Sequence, residues 1–111
     1  MKKRMFFLMT MMAAFTICVY GQNGKKFFKA GNEFVKNLKY EDAVAQYTSA
    51  IGIEPSNPDY YYARGMAYQS LVKYNEAISD YEKVLVFAPK SVDALIGLGT
   101  VCNKMENFEE T

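Results

Sequence analysis

The fold is decided by residues 58–91, which read PDYYYARGMAYQSLVKYNEAISDYEKVLVFAPKS. Shifted by 34 residues in either direction, this stretch matches the sequence that flanks it. The matched positions share size or chemistry: Gly31, Gly65 and Gly99; Tyr40, Tyr74 and Phe108; Ala43 and Ala77; Tyr47 and Tyr81; Pro55 and Pro89; Phe27, Tyr61 and Leu95; Phe34, Tyr68 and Cys102. Such agreement at one period indicates repeated units that bury their apolar faces on their neighbours.

Each repeat has the pattern of two helices joined by a tight turn. Glycine inside a helix costs about 1 kcal/mol relative to alanine, so Gly31 and Gly65 indicate close approach of a second helix. Pro55 and Pro89 end the second helices because proline cannot continue the hydrogen-bond ladder. No segment alternates as a strand would. Helices are predicted at about residues 25–38, 41–53, 58–71, 75–88 and 92–105, with a sixth beginning near Phe108.

Helix starts carry local signals as well. Asn57 and Ser91 are predicted caps, and an acidic residue follows in each first turn. After Asn57, Pro58 also takes the first helical position. By register, Tyr61 belongs to the core and Tyr60 to the surface. The spacing of Asp80 from Glu76 and from Lys83 predicts an exposed helix face.

The 34-residue pattern resembles the tetratricopeptide repeat family. Residues 24–57 and 58–91 supply complete repeats, and residues 92–111 begin a third; Val84 and Cys102 depart from the family pattern. The resemblance implies an all-α helical solenoid of about two and a half repeats, in which Ala43 and Ala77 face the glycines. In the half repeat, Leu95, Leu98 and Cys102 are expected to pack back on the second repeat, leaving Ile96 and Met105 partly exposed.

The resemblance also implies that the first helices line a concave groove that binds a peptide or partner helix. Phe28, Tyr62 and Ile96 would form a ladder of large apolar residues, one per repeat. Alternatively, Phe28 and Tyr62 only pack between neighbouring first helices. The predicted partner-binding residues are Phe28, Asn32, Lys36, Tyr62, Met66, Gln69, Ile96, Thr100 and Asn103.

Some members of the family clamp the C-terminal carboxylate of heat-shock chaperones with Lys, Arg and Asn side chains. The five corresponding positions hold Phe28, Asn32, Ala63, Asp93 and Gly97, of which only Asn32 fits. Asp93 would repel a carboxylate, so we do not expect this clamp.

Composition argues against catalysis. The chain of 111 residues has no His and only two Cys, which removes the His-dependent nucleophile arrangements and the common zinc sites. A formal net charge of +1 gives no case for nucleic acid. We therefore expect a non-catalytic protein-interaction module without a metal or cofactor.

The first residues have the pattern of a secretory signal peptide. Lys2, Lys3 and Arg4 precede residues 5–20, which carry no charge. Cleavage after Gly21 would leave Gln22 as the new N-terminus and place the protein in the periplasm or envelope of a Gram-negative bacterium. The alternative is a retained inner-membrane anchor, although this apolar stretch is shorter than the ~20 residues that a membrane helix needs.

Residues 108–111 have the pattern of a second helix that has just begun. One hypothesis is that the chain is a fragment of a longer protein; an alternative function is then that of an N-terminal docking or sensing part, with an enzymatic or DNA-binding effector domain beyond Thr111. The other is that the half repeat closes the array, with possible self-association through its open side.

Overall fold

The computed structural model describes residues 24–109, except for the side chains of Phe108 and Glu109. It contains five helices: α1 (residues 24–36), α2 (Tyr40–Ile53), α3 (Pro58–Ser70), α4 (Tyr74–Phe87) and α5 (Val92–Glu109). No strand occurs in this range, so the predicted all-α class is confirmed. Within it, no helix combines the length and apolar character needed to cross a bilayer. The predicted signal peptide, residues 1–21, lies outside the described residues.

The turns after α1 and α3 have the same backbone geometry. The N–H of Lys39 donates to the carbonyl of Phe34 at 2.9 Å, and the N–H of Leu38 donates to that of Val35 at 3.0 Å. The second turn repeats both bonds one period later. This is the Schellman motif, in which glycine usually occupies the left-handed position. Here Leu38 and Val72 occupy it, each with φ of 61°, so both turns are strained.

The predicted helix caps are present. The side chain of Asn57 accepts a hydrogen bond from the N–H of Asp59 at 3.0 Å, and Pro58 occupies the first helical position. Ser91 Oγ accepts from the N–H of Ala94 at 3.2 Å. These bonds satisfy N–H groups that have no partner inside the helix, and so they fix where α3 and α5 begin.

A tyrosine ring closes each helix pair over a glycine. A Cβ atom added to Gly31 would lie 2.5 Å from Cε1 of Tyr47, and one added to Gly65 would lie 3.0 Å from Cε1 of Tyr81. These contacts are too close for any other residue to fit without movement. Ala43 is fully buried as well, and the three atoms nearest to a Cβ at Gly31 all belong to Tyr47, so the tyrosine ring makes the closest contact with the glycine.

An ion pair joins α3 to α4 inside the second repeat. Arg64 Nε donates to Asp80 Oδ2 at 2.8 Å, and Arg64 Nη2 donates to Oδ1 at 2.7 Å. Arg64 Nη1 also donates to Thr48 Oγ1 at 3.2 Å. Asp80 is only 3% exposed, so the prediction that it lies on an exposed face is wrong. A buried carboxylate needs such a partner because its desolvation is costly.

Tyr60 is buried, and the prediction that it lies at the surface is also wrong. Its ring packs on that of Phe28 at a centroid distance of 5.0 Å, and its hydroxyl donates to Glu54 Oε1 at 3.3 Å. The reason is that α3 has neighbouring helices on both sides of it. Tyr61 faces α4 while Tyr60 faces the preceding repeat, so adjacent residues are both in contact with neighbours.

α5 differs from the predicted half repeat in two respects. It runs without a turn to Glu109, whereas a turn and a sixth helix near Phe108 were predicted. Leu95 and Cys102 are exposed rather than packed on the second repeat. The contacts come from another face of α5, where the packed residues are Ala94, Gly97, Leu98, Val101 and Met105.

Candidate functional site

α1, α3 and α5 line one face of the array, which we call the groove. Between α1 and α3 it holds a cavity of about 470 Å³. Most of its walls are apolar, and Met66 remains 49% exposed at its edge. The lining residues are Phe28, Asn32, Val35, Tyr40, Tyr47, Asp59, Tyr62, Ala63, Met66, Ala67 and Ser70.

A second cavity, of about 230 Å³, continues the groove between α3 and α5. Tyr62 and Met66 line both cavities, so the two lie next to each other along the first helices. Ile96, which is 61% exposed, lines the second cavity together with Gln69 and Thr100.

Seven of the nine predicted binding residues therefore line the groove, and two do not. Lys36 is exposed, and its Nζ donates to Glu33 Oε1 at 3.1 Å on the surface of α1. Asn103 is exposed and lines none of these cavities. The seven residues in the groove are Phe28, Asn32, Tyr62, Met66, Gln69, Ile96 and Thr100.

The aromatic residues of the ladder both pack and line the cavity. The Phe28 ring lies 5.7 Å from that of Tyr47, and the Tyr62 ring lies 5.9 Å from that of Tyr81, between centroids. Phe28 and Tyr62 are half-buried, so each leaves part of its ring facing the groove. The two alternatives given for Phe28 and Tyr62 are therefore compatible. One side of each ring packs against a tyrosine, and the other side faces the groove.

Two tyrosines of the second helices reach through to the groove, which sequence reasoning missed. The hydroxyl of Tyr47 donates to Asn32 Oδ1 at 2.6 Å, and that of Tyr81 donates to Gln69 Oε1 at 2.8 Å. These bonds use the amide oxygens and leave the amide NH₂ groups as donors for a ligand. The signal was Tyr in place of Phe at both positions, since a buried phenol needs a hydrogen-bond partner.

The charges along the groove are sparse and acidic near α3 and α5. Asp59 lines the first cavity and Asp93 the second. Burial raises the pKa of Tyr62, and the charge of Asp93 raises it further. Burial also raises the pKa of Tyr81, to about 12, so both phenols are neutral at physiological pH. Among the described residues no group of three or more side chains could hold a metal ion.

The fold has clear relatives among solved structures. A tetratricopeptide repeat domain of Sgt2 from Aspergillus fumigatus is 30% identical with a TM-score of 0.72, covering 78% of this chain and 58% of that one. The corresponding domain of Arabidopsis OM64 is 27% identical with a TM-score of 0.76, covering 81% and 74%. The second such domain of Spaghetti (RPAP3), bound to the HSP90 peptide SRMEEVD, is 29% identical with a TM-score of 0.75, covering 81% and 83%.

Sequence comparison points to the same family. No curated protein matches this chain in sequence. A TPR repeat model matches residues 31–72, and a tetratricopeptide repeat model matches residues 58–91. Together the two matches span more than half of the chain, and the helix pairs they cover have the geometry described above. The chain is therefore a tetratricopeptide repeat protein over residues 31–91.

Proposed function

We propose that this protein is a non-catalytic interaction module whose groove binds an extended peptide or partner helix through apolar side chains. The observation that carries the proposal is the pair of adjoining cavities along the first helices, which share Tyr62 and Met66 in their walls. Met66 and Ile96 leave apolar surface exposed to water, and a ligand that covers this surface would gain hydrophobic contact. Exposed apolar surface of this kind is common at binding sites. The Spaghetti domain with its HSP90 peptide shows that a related fold accepts a peptide.

The chemistry of the groove favours a ligand other than an acidic C-terminus. The clamp positions of the chaperone-binding relatives hold Phe28, Ala63, Asp93 and Gly97 here, none of which is basic. Asn32 matches the clamp, but its amide oxygen already accepts from the Tyr47 hydroxyl. We therefore expect apolar anchors in the two cavities, flanked by hydrogen bonds from side-chain amides of α1 and α3.

The test is selection of peptides from a random display library on the full chain, followed by affinity measurement with single variants. Met66→Glu places a charge at the junction of the cavities and should weaken the selected peptides at least tenfold, about 1.4 kcal/mol. Val86→Glu is the matched control, because Val86 is also apolar and exposed but lies on α4 outside the groove. The peptide SRMEEVD should not bind.

Two results would contradict the proposal. One is an absence of enriched peptides. The other is a set of peptides that lose affinity equally with Met66→Glu and Val86→Glu, which would indicate nonspecific adhesion.

The proposed setting is the bacterial envelope, reached by export through the signal peptide at residues 1–21. The support is the order of Lys2, Lys3 and Arg4 before the uncharged residues 5–20. The mass of the protein recovered from its source tests this, since a chain that begins at Gln22 has lost the leader. An intact Met1 would instead favour the retained anchor.

A further inference from the structure

The two cavities of the groove are bordered by acidic side chains. Asp59 lines the cavity between α1 and α3, and Asp93 lines the cavity between α3 and α5. Both side chains are exposed. Among the described residues no Lys or Arg lines either cavity, although the whole chain has 13 basic and 12 acidic residues. The charge beside each cavity is therefore negative.

The two acids occupy the same place in successive repeats. They are 34 residues apart, and each comes three positions before a residue of the apolar ladder, Tyr62 in α3 and Ile96 in α5. Residues three apart lie on the same face of a helix, so each carboxylate borders the apolar surface of the groove. The charge of Asp93 also acts on α3, where it adds to burial in raising the pKa of Tyr62.

Neither carboxylate forms an ion pair within the part of the chain that the structure describes. The carboxylates that do so there are those of Glu33 and Asp80. The hydrogen bond between Asp59 and Asn57 uses the backbone N–H of Asp59 and leaves its carboxylate as an acceptor. A cationic group on a ligand would therefore supply each groove acid with a close partner of opposite charge.

The two acids differ in their surroundings. Asp59 also lines a third cavity, of about 360 Å³, together with Lys25 and Lys29 of α1. These lysines offset part of the negative potential at the α1 end of the groove. Among the described residues, those that line the second cavity with Asp93 are all uncharged. A ligand cation should therefore bind most strongly beside Asp93, at the α5 end.

We propose that the groove binds a basic, apolar segment of a partner protein, which places a bulky apolar side chain in the larger cavity and a lysine or arginine beside Asp93. This inference rests on the proposed function and adds the charge of the ligand to it. The cavities make the binding site, and the acids determine which charge its occupant carries. An acidic segment would bring like charges together, which is a general way to reject a wrong partner.

The geometry of the repeats sets the spacing of these two ligand residues. Packed helices lie about 8–10 Å apart, and an extended chain rises about 3.3 Å per residue. A ligand that crosses from the larger cavity to Asp93 moves by one repeat. In an extended segment, the bulky apolar residue and the basic residue should therefore be about three residues apart.

The acids have a second explanation, which is that they stabilise the helices that they begin. A carboxylate in a first turn interacts favourably with the positive end of the helix dipole. Asp42 has this position in α2 and is exposed as well, but it lines none of the three cavities. Asp42 is therefore a matched control, because it shares the position in the helix with Asp93 but not the groove.

The experiment selects peptides from a random display library in parallel on the full chain and on its Asp93→Lys variant. Peptides selected on the wild type should carry Lys or Arg about three residues from a bulky apolar residue. Peptides selected on Asp93→Lys should carry Asp or Glu at that place. Asp42→Lys should select the same peptides as the wild type.

Affinities of one selected peptide give the size of the effect. Asp93→Asn should weaken its binding about three- to fivefold at low salt, and Asp59→Asn should weaken it less. Asp42→Asn should leave the affinity unchanged. Replacing the basic residue of the peptide by Glu should weaken binding at least about tenfold, because attraction becomes repulsion. Circular dichroism shows whether the variants keep their fold.

Three results would overturn the proposal and leave the proposed function intact. The enriched peptides could depend on Met66 and carry no basic residue. Their affinity could be the same for Asp93→Asn as for the wild type. It could also fall equally with Asp93→Asn and Asp42→Asn, which would assign the acids to helix stability. An absence of enriched peptides would contradict both proposals.

Two further results would assign the groove to another occupant and so also overturn the proposal. Self-association of the chain that Met66→Glu dissociates would identify a second copy. A peptide affinity that rises at least tenfold in the chain that begins at Gln22 would identify the basic and apolar leader, residues 1–21, as the occupant.

Discussion

α3 and α5 share a repeat pattern but have different surroundings. Gly65 of α3 lies under Tyr81, and the chain then turns at Val72 into the helix that carries that ring. Gly99 of α5 has open space above it, and the helix continues straight to Glu109. The strained turn and the closed tyrosine–glycine contact thus occur together in the second repeat. In the two complete repeats, the burial of the second helix offsets the backbone strain of the turn.

The most severe test of this comparison removes the ring that closes the second repeat. Tyr81→Ala should destabilise the protein by about 3–5 kcal/mol, the usual cost of deleting a large buried aromatic side chain. Tyr81→Phe keeps the packing and loses only the bond to Gln69, so about 1 kcal/mol is expected. Urea denaturation followed by circular dichroism measures both. Similar losses for the two variants would show that the hydroxyl, not the ring, holds the contact.

The second prediction concerns the ion pair that distinguishes the second repeat from the first. Arg64→Ala leaves the carboxylate of Asp80 buried without a partner, and a loss of about 3 kcal/mol or more is expected in urea denaturation. The double variant with Asp80→Gln reproduces Ala30 and Gln46 of the first repeat and should recover most of that loss. If the double variant is as unstable as Arg64→Ala, packing by the arginine stem matters more than charge.

High pH should weaken the closed contact through the same tyrosine. Burial raises the pKa of Tyr81 from 10.0 to about 12, so the unfolded chain loses its phenol proton first. The stabilisation that comes from the protonated Tyr81 is complete below pH 10. The free energy of unfolding then falls by about 2 kcal/mol as the pH rises to 12. The difference between wild type and Tyr81→Phe in urea midpoint across this range isolates the effect. A difference that does not change with pH would contradict it.

A pair of glycine substitutions compares covered and open positions directly. Gly31→Ala should destabilise by about 1–2 kcal/mol, since its Cβ would lie 2.5 Å from the Tyr47 ring. Gly99→Ala should stabilise by up to about 1 kcal/mol, because alanine is the better helix former and the space is open. Thermal unfolding of the two variants shows whether each substitution raises or lowers the stability. Equal signs would mean that the two glycines have similar surroundings.

The smallest expected effect lies in the turns. Val72→Gly should stabilise by about 0.5–1 kcal/mol, because glycine adopts a φ of 61° without steric cost and Val72 is exposed. Glu106→Gly, at the equivalent position of α5, should instead destabilise by up to about 1 kcal/mol because it interrupts a continuous helix. The denaturation midpoints of the two variants, compared with that of the wild type, show whether the two substitutions have opposite effects. A stabilising Glu106→Gly would argue that α5 is turned in solution.

The sequence predicted those features whose causes are local or periodic. Asn57 and Ser91 cap the expected helices because their side chains reach N–H groups only a few residues away. The groove residues followed from the family register, and seven of nine lie where expected. Lys36 and Asn103 do not: both side chains are exposed and outside the two cavities, and Lys36 pairs with Glu33 on the surface of α1.

The features that the sequence did not predict depend on contacts between helices. Arg64 and Asp80 are 16 residues apart and occur in one repeat only, so comparison of the repeats gives no signal for their pair. The burial of Tyr60 needs a neighbour on both sides of α3. The hydrogen bond from Tyr81 to Gln69 needs the relative rotation of α3 and α4. The continuation of α5 to Glu109 departs from the repeat register, which gives no signal for it.

The ring of Tyr81 takes part in two interfaces, one within its own repeat and one with the next repeat. It lies against Gly65 within its own repeat, and an added Cβ at Gly97 of the next repeat would be only 2.7 Å from its Cζ atom. A single side chain thus belongs both to the stability of one unit and to the coupling between units. α5 cannot detach without uncovering Tyr81, and α4 cannot open without releasing α5. We therefore expect the cooperative unit of unfolding to cross the repeat boundary, so that the repeats seen in the sequence do not open one at a time.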